Sequence, residues 1–97
     1  MEKKTNETWY YVIVQSPDMP DEEFVGFYDE KTQEKFIPAF KTQEQAKACF
    51  QLMPKDIFKS SYDTQAVIEE DLLQVAEKGG HRVYLLDEQG RILDYVN

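Results

Sequence analysis

The sequence predicts an α+β fold: a two-layer sandwich whose five-stranded, mainly antiparallel sheet carries two consecutive helices on one face, in the order βββααββ. Three observations lead there. The run from Thr8 to Gln15, Thr-Trp-Tyr-Tyr-Val-Ile-Val-Gln, is the most apolar and most β-prone in the chain. Further strand-length runs bounded by turn residues stand on either side of a central region. That region holds two consecutive stretches of helical periodicity.

Successive side chains on a strand point to opposite faces, so Trp9, Tyr11 and Ile13 share one face and Tyr10, Val12 and Val14 the other. Neither face is polar. The run therefore reads as a central strand covered on both sides, by helices on one and by something else on the other. Met1 to Glu7 before it is polar and is expected to be a flexible tail of a single domain spanning the chain. Ser16 to Glu23 is a loop, because its two prolines lack the amide that a ladder needs.

Phe24 to Tyr28 resumes an extended pattern, with Gly26 marking a bulge or a place where a large neighbour lies over the backbone. Asp29 to Glu34 is a polar hairpin connection. In the strand Lys35 to Phe40, Pro38 cannot donate to a ladder. The strand is an edge, or the Pro38 amide position faces away from its neighbour.

Thr42 and Gln45 have capping-box spacing at the start of a helix whose buried face is Ala46, Cys49, Phe50 and Met53, and Pro54 ends it. Lys55 to Tyr62 reads as irregular, pinned by Ile57, Phe58 and Tyr62. Asp63 or Thr64 then caps a second helix running to about Lys78, with the inner stripe Val67, Ile68, Leu72, Val75 and Ala76 and a Gly79-Gly80 C-cap. His81 to Asp87 is a strand apolar on both sides. Asp87 to Arg91 is a tight hairpin with Gly90 at positive φ, and Ile92 to Val96 is the last strand.

The segment Ile37-Pro38-Ala39-Phe40-Lys41-Thr42-Gln43-Glu44, a strand with a proline-aromatic ending that leads through a threonine cap into an acidic helix start, resembles the N-terminal domain of SseB-type bacterial proteins. The likeness covers Lys35 to Phe50. It implies a bacterial, cytoplasmic domain and transfers no catalytic residue.

With 97 residues, 41% hydrophobic and 31% charged, the chain is sized and composed to fold as one domain. Its formal charge of −8 argues against a nucleic-acid backbone or an anionic membrane and favours a basic protein surface as partner. A lone cysteine, Cys49, excludes an internal disulfide and fits a reducing cytoplasm. No run is long enough to span a bilayer.

Chemistry-bearing patterns are lacking. Cys49 falls on the buried helix stripe, where a free thiol behaves as a small apolar residue. His81 is the only histidine, which excludes a multi-histidine metal site. Asp18, Asp21, Glu22 and Glu23 crowd one loop without the alternation and central glycine of a calcium loop. Glu69, Glu70 and Asp71 are consecutive and fan around a helix rather than converging. No catalytic residue, cofactor or metal is expected.

What remains is a surplus of bulky side chains on the sheet. Two helices on one face leave the other uncovered, with Trp9, Tyr11, Ile13, Phe24, Tyr28 and Tyr84 as the candidate interface. The expected function is a non-enzymatic interaction or regulatory module that forms a homodimer through that face, a basic protein being the other possible occupant. The rival reading is a small ligand-binding domain or enzyme with a pocket between sheet and helices near His81 or Tyr62.

Overall fold

The computed structural model describes residues 8–18, 20, 22–52 and 62–97. In chain order the elements are β1 (Trp9–Gln15), β2 (Glu23–Phe24), β3 (Phe27–Asp29), β4 (Glu34–Ala39), α1 (Gln43–Gln51), β5 (Tyr62–Ile68), α2 (Glu69–Gly79), β6 (His81–Leu86) and β7 (Ile92–Tyr95). The expected tail over Met1 to Glu7, and the roles given to Met53, Pro54, Ile57 and Phe58, lie outside the described residues.

The fold is α+β, but the five-stranded sheet with two consecutive helices on one face is wrong. Among the described residues there are two sheets, of order β2-β1-β5 and β3-β4-β6-β7. The helices are not consecutive: the stretch read as the first turns of the second helix is β5, which pairs antiparallel with β1 along its whole length, from Gln15↔Tyr62 to Trp9↔Ile68. Tyr62, Thr64, Val67 and Ile68 are good strand formers, and β1 offers that stretch a complete ladder. Asp63 and Thr64 cap no helix; the Asp63 carboxylate accepts the Thr64 amide instead. α2 starts at Glu69 without a side-chain cap. Its first amide donates to the Thr8 carbonyl at 2.8 Å, and the Tyr10 hydroxyl donates to Glu69 Oε1 at 3.1 Å. β1 thus does for α2 what a capping residue would do.

The run Phe24 to Tyr28 is also divided. β2 pairs with β1 at Val14↔Phe24, whereas β3 pairs with β4 at Phe27↔Phe36, so the chain crosses from one sheet to the other at Val25 and Gly26. The His81 ring lies over this crossing: a Cβ at Gly26 would stand 3.0 Å from Nε2, and one at Gly79 would stand 2.6 Å from Nδ1. A large neighbour over Gly26 is therefore the reading that holds.

The sheets are joined by a bridge between Tyr11 and Phe40, each donating its amide to the other's carbonyl at 2.8 and 2.9 Å. β4 and β6 run parallel, since α1, β5 and α2 intervene between them; the other pairings are antiparallel. β4 is internal to its sheet rather than an edge. β3 pairs with it only from Glu34 to Phe36, so Pro38 lies beyond the last bond that β3 needs.

The two helices cover opposite faces. Ala46, Cys49 and Phe50 of α1 pack with Ile13, Val25, Phe40, Tyr84 and Leu86. Leu72 and Ala76 of α2 pack with Val12, Val14, Ile37, Ala39 and Val83. The alternation of β1 is legible in this split, and the unknown cover on its second face is a helix. Val75, expected on the inner stripe of α2, is 44% exposed, while Leu72 and Ala76 are fully buried.

At the start of α1, Thr42 accepts the Gln45 amide at 3.1 Å, but among the described residues the return half of the capping box is not made and Gln45 Oε1 has no partner. Gly80 ends α2 in the left-handed conformation at φ 70°.

The β6–β7 turn is clasped by Asp87. Its Oδ1 accepts the amides of Gln89 and Arg91, and its Oδ2 accepts Arg91 Nε, each at 2.9 Å. The Arg91 amide is the main influence holding the carboxyl below the ordinary aspartate value. The Gln89 amide and the Arg91 guanidinium act the same way, while burial opposes them. Because the folded state favours the ionised form, the clasp contributes fully above the unfolded aspartate value and is lost as pH falls through the lower folded value. Thermal melts of the wild type should therefore weaken below about pH 4. Asp87→Asn should lower Tm by several degrees at pH 7 and flatten that acid dependence; superimposable pH profiles for the two proteins would contradict the clasp.

Candidate functional site

The six candidate interface residues do not form one surface. Ile13 and Tyr84 are buried in the core beneath α1, and Tyr11 is half-buried against it. Phe24 is half-buried against the opposite core, beneath α2. Only Trp9 and Tyr28 are exposed, on β1 and β3. The uncovered apolar face that two helices on one side would leave is therefore absent: α1 and α2 lie on opposite sides of the β layer, and each takes one of its two cores.

His81 and Tyr62 do not share a pocket either. His81 lines a groove of about 490 Å³ with Glu70, Leu73, Gln74, Glu77 and Asn97. Tyr62 lines a cleft of about 210 Å³ under α1 with Ile13, Lys47, Phe50 and Thr64 among its walls. Among the described residues the His81 Nδ1 atom is buried without a hydrogen-bond partner, so no carboxylate is bonded to that nitrogen. Among the described residues no group of three or more His, Cys, Asp or Glu side chains could hold a metal ion. In the acidic loop, Glu22 Oε2 accepts the Asp18 amide and the Gln65 side-chain amide, which is structural work; Asp21 lies outside the described residues. Cys49 is buried in the α1 core, and burial, followed by the Asp87 charge, pushes its thiol up, away from the reactive thiolate.

The surface that sequence reasoning missed is β7. It is the last strand of its sheet, and all four of its residues are exposed. Ile92, Leu93 and Tyr95 stand 44%, 54% and 55% exposed, on a strand of a kind that ordinarily faces a core. A register shift opposite Leu85 and Leu86 bulges the pairing, so Ile92 pairs with Leu86 and Tyr95 with Tyr84. Since Leu86 and Tyr84 share a face, the bulge brings Ile92 and Tyr95 to that face too. There they continue an aromatic row. Phe36 stacks on Tyr84 at 4.5 Å between ring centroids, and Tyr95 meets Tyr84 edge-on at 5.1 Å. The Arg82 guanidinium lies 5.9 Å from the centre of the Tyr95 ring and pairs with Glu34 at 3.2 Å. Beside the row, Phe36, Tyr84, Leu86 and Ile92 line a groove of about 520 Å³, walled by Tyr28 to Lys31.

A bulge inside a four-residue strand leaves no mark that residue types alone would show. The exposed Ile-Leu pair following the Gly90 turn was the available signal. Among the described residues no helix is long and apolar enough to cross a membrane. Comparison with protein-family models, with curated proteins and with solved structures finds no match for this chain.

Proposed function

We propose that this chain is a non-enzymatic protein-interaction module that self-associates through the exposed apolar strip of β7. The observation that carries the reading is the position of Ile92, Leu93 and Tyr95: large, close together and exposed on the last strand of their sheet. Burying such side chains removes apolar area from water, and a two-fold pairing of identical strips is the commonest way to do so. The buried free thiol fits a reducing cytoplasm.

The pocket reading has less behind it. His81 and Tyr62 face different clefts, so they do not form the single sheet-helix pocket that this reading needs. A basic protein is the second candidate occupant, favoured by the charge of −8. Salt separates the two. Screening relieves repulsion between two acidic copies, so added salt should preserve or strengthen self-association, whereas it should weaken a complex with a basic partner.

Sedimentation velocity at micromolar concentration should show a dimer for the wild type and a monomer for Leu93→Asp, whose thermal melt stays near that of the wild type because the position is exposed. A wild-type monomer at these concentrations would refute the proposal.

A further inference from the structure

We infer that Asp63 and Asp94 guard the two longer free edges of the β layer against strand addition, each by holding an outward-pointing amide that an incoming strand would need. The guard acts on backbone edges and does not depend on what meets the side chains of the β7 strip. Among the described residues the edge strands are β2 and β5 in one sheet and β3 and β7 in the other. An edge strand presents unpaired amides and carbonyls that another chain can extend. β2 and β3 span two and three residues, too short to template a ladder. β5 and β7 span seven and four residues and contain neither proline nor lysine, so they lack two of the common ways of blunting an edge.

The direction of each amide follows from alternation along the ladder. In β1, Tyr11 exchanges amide and carbonyl bonds with Phe40, and the Ile13 carbonyl accepts the Val25 amide, so the odd positions of β1 face away from β5. The even positions face it, and their partners Val67, Gln65 and Asp63 turn inward. The outward row of β5 is therefore Tyr62, Thr64, Ala66 and Ile68. In β7, Val96 donates its amide to Val83 of β6, so the amide of Tyr95, its neighbour in an extended strand, points to the free edge.

Both edges carry the same arrangement: an aspartate whose backbone turns inward stands one residue before an outward amide and takes it. Asp63 Oδ1 accepts the Thr64 amide and Asp94 Oδ1 accepts the Tyr95 amide, each at 2.8 Å. Thr64 lies within the outward row of β5, so its bond interrupts that row; in β7 the bulge breaks the edge further. The carbonyl of an incoming strand would meet a donor already occupied and a negative charge beside it. Addition must therefore break the bond and crowd a carboxylate against carbonyl oxygens.

The test compares Asp63→Ala/Asp94→Ala with Asp63→Asn/Asp94→Asn. Asparagine keeps an acceptor oxygen in place and drops the charge, whereas alanine removes both. Thermal melts check folding, and both positions are exposed. Hydrogen exchange read by NMR, corrected for intrinsic rates, should be about threefold to tenfold faster at the Thr64 and Tyr95 amides in the alanine pair and little changed in the asparagine pair. Should the alanine pair fail to fold, each single alanine variant is read at its own amide. In sedimentation velocity the alanine pair should build species larger than a dimer, because two open edges per molecule propagate an unclosed array; the wild type and the asparagine pair should not. Unchanged exchange, or an alanine pair that never grows beyond two copies, would overturn the guard. Equal growth of both pairs would overturn the role of the bond and assign the protection to charge. A monomeric wild type overturns the β7 strip and not the guard, whose readout is growth beyond two copies.

Discussion

Phe40→Ala is expected to cost about 3–5 kcal/mol, the range for removing a fully buried phenylalanine side chain. The Phe40 ring has no exposure and lies in the core that Ile13 of β1, Ala46 and Phe50 of α1 and Tyr84 of β6 share. Its backbone also makes the bridge to Tyr11 that joins the two sheets. Alanine keeps those backbone bonds and removes the ring, leaving a cavity where three elements meet, and the neighbours cannot collapse into it without breaking their own pairings. A domain of this size holds roughly 5–15 kcal/mol in all, so the loss is a third of it or more. Tm should fall by on the order of 20 °C, or the cooperative transition should vanish. A fall of less than about 5 °C would mean that Phe40 does not bind the two sheets together.

Leu72→Ala and Val75→Ala should separate sharply. By helical spacing the two positions look alike, both on the inner stripe of one helix. In the structure Leu72 is fully buried against Val12, Val14 and Val83, whereas Val75 faces water. Leu72→Ala should therefore cost about 2–5 kcal/mol through lost burial and the cavity left behind. Val75→Ala should lie within about 0.5 kcal/mol of wild type, with any shift towards greater stability, because alanine suits an exposed helix site better than a β-branched residue. Equal losses in urea titrations would show that α2 is rotated about its axis.

These two helical positions show where residue patterns stop being informative. Residues 67, 68, 72, 75 and 76 fit a period near 3.6, and that spacing predicts a helix capped at Asp63 or Thr64. The first two belong to β5. Once they are removed, the buried face is defined by Leu72 and Ala76, and Val75 rotates out to solvent. Residues 62–68 hold strand formers, but their spacing also fits the start of a helix; the ladder offered by β1 decides it. The same holds for Phe24 to Tyr28, whose extended pattern is real but is shared between two sheets.

The candidate interface failed for a related reason. Trp9, Tyr11 and Ile13 do share a face, as alternation requires, but that face turns from exposed to buried along β1 as α1 comes to lie over its far end. Tyr84 joins the same core from β6, whereas Phe24 falls on the opposite one. Face membership within one strand is local; whether a face is wet depends on where distant elements land.

From the chain of residues alone follow the strands at Trp9–Gln15 and His81–Leu86 with apolar residues on both sides, the threonine-started helix α1, the Gly80 and Gly90 turns and the acidic charge. Each rests on alternation, capping or turn chemistry acting within a few residues. Tertiary structure decided that β5 is a strand, that β4 and β6 run parallel, that the helices cover opposite faces and that the exposed apolar surface is β7. Those outcomes depend on which backbone edge finds which partner, and contacts between residues far apart in the chain settle that competition where local preference is evenly balanced.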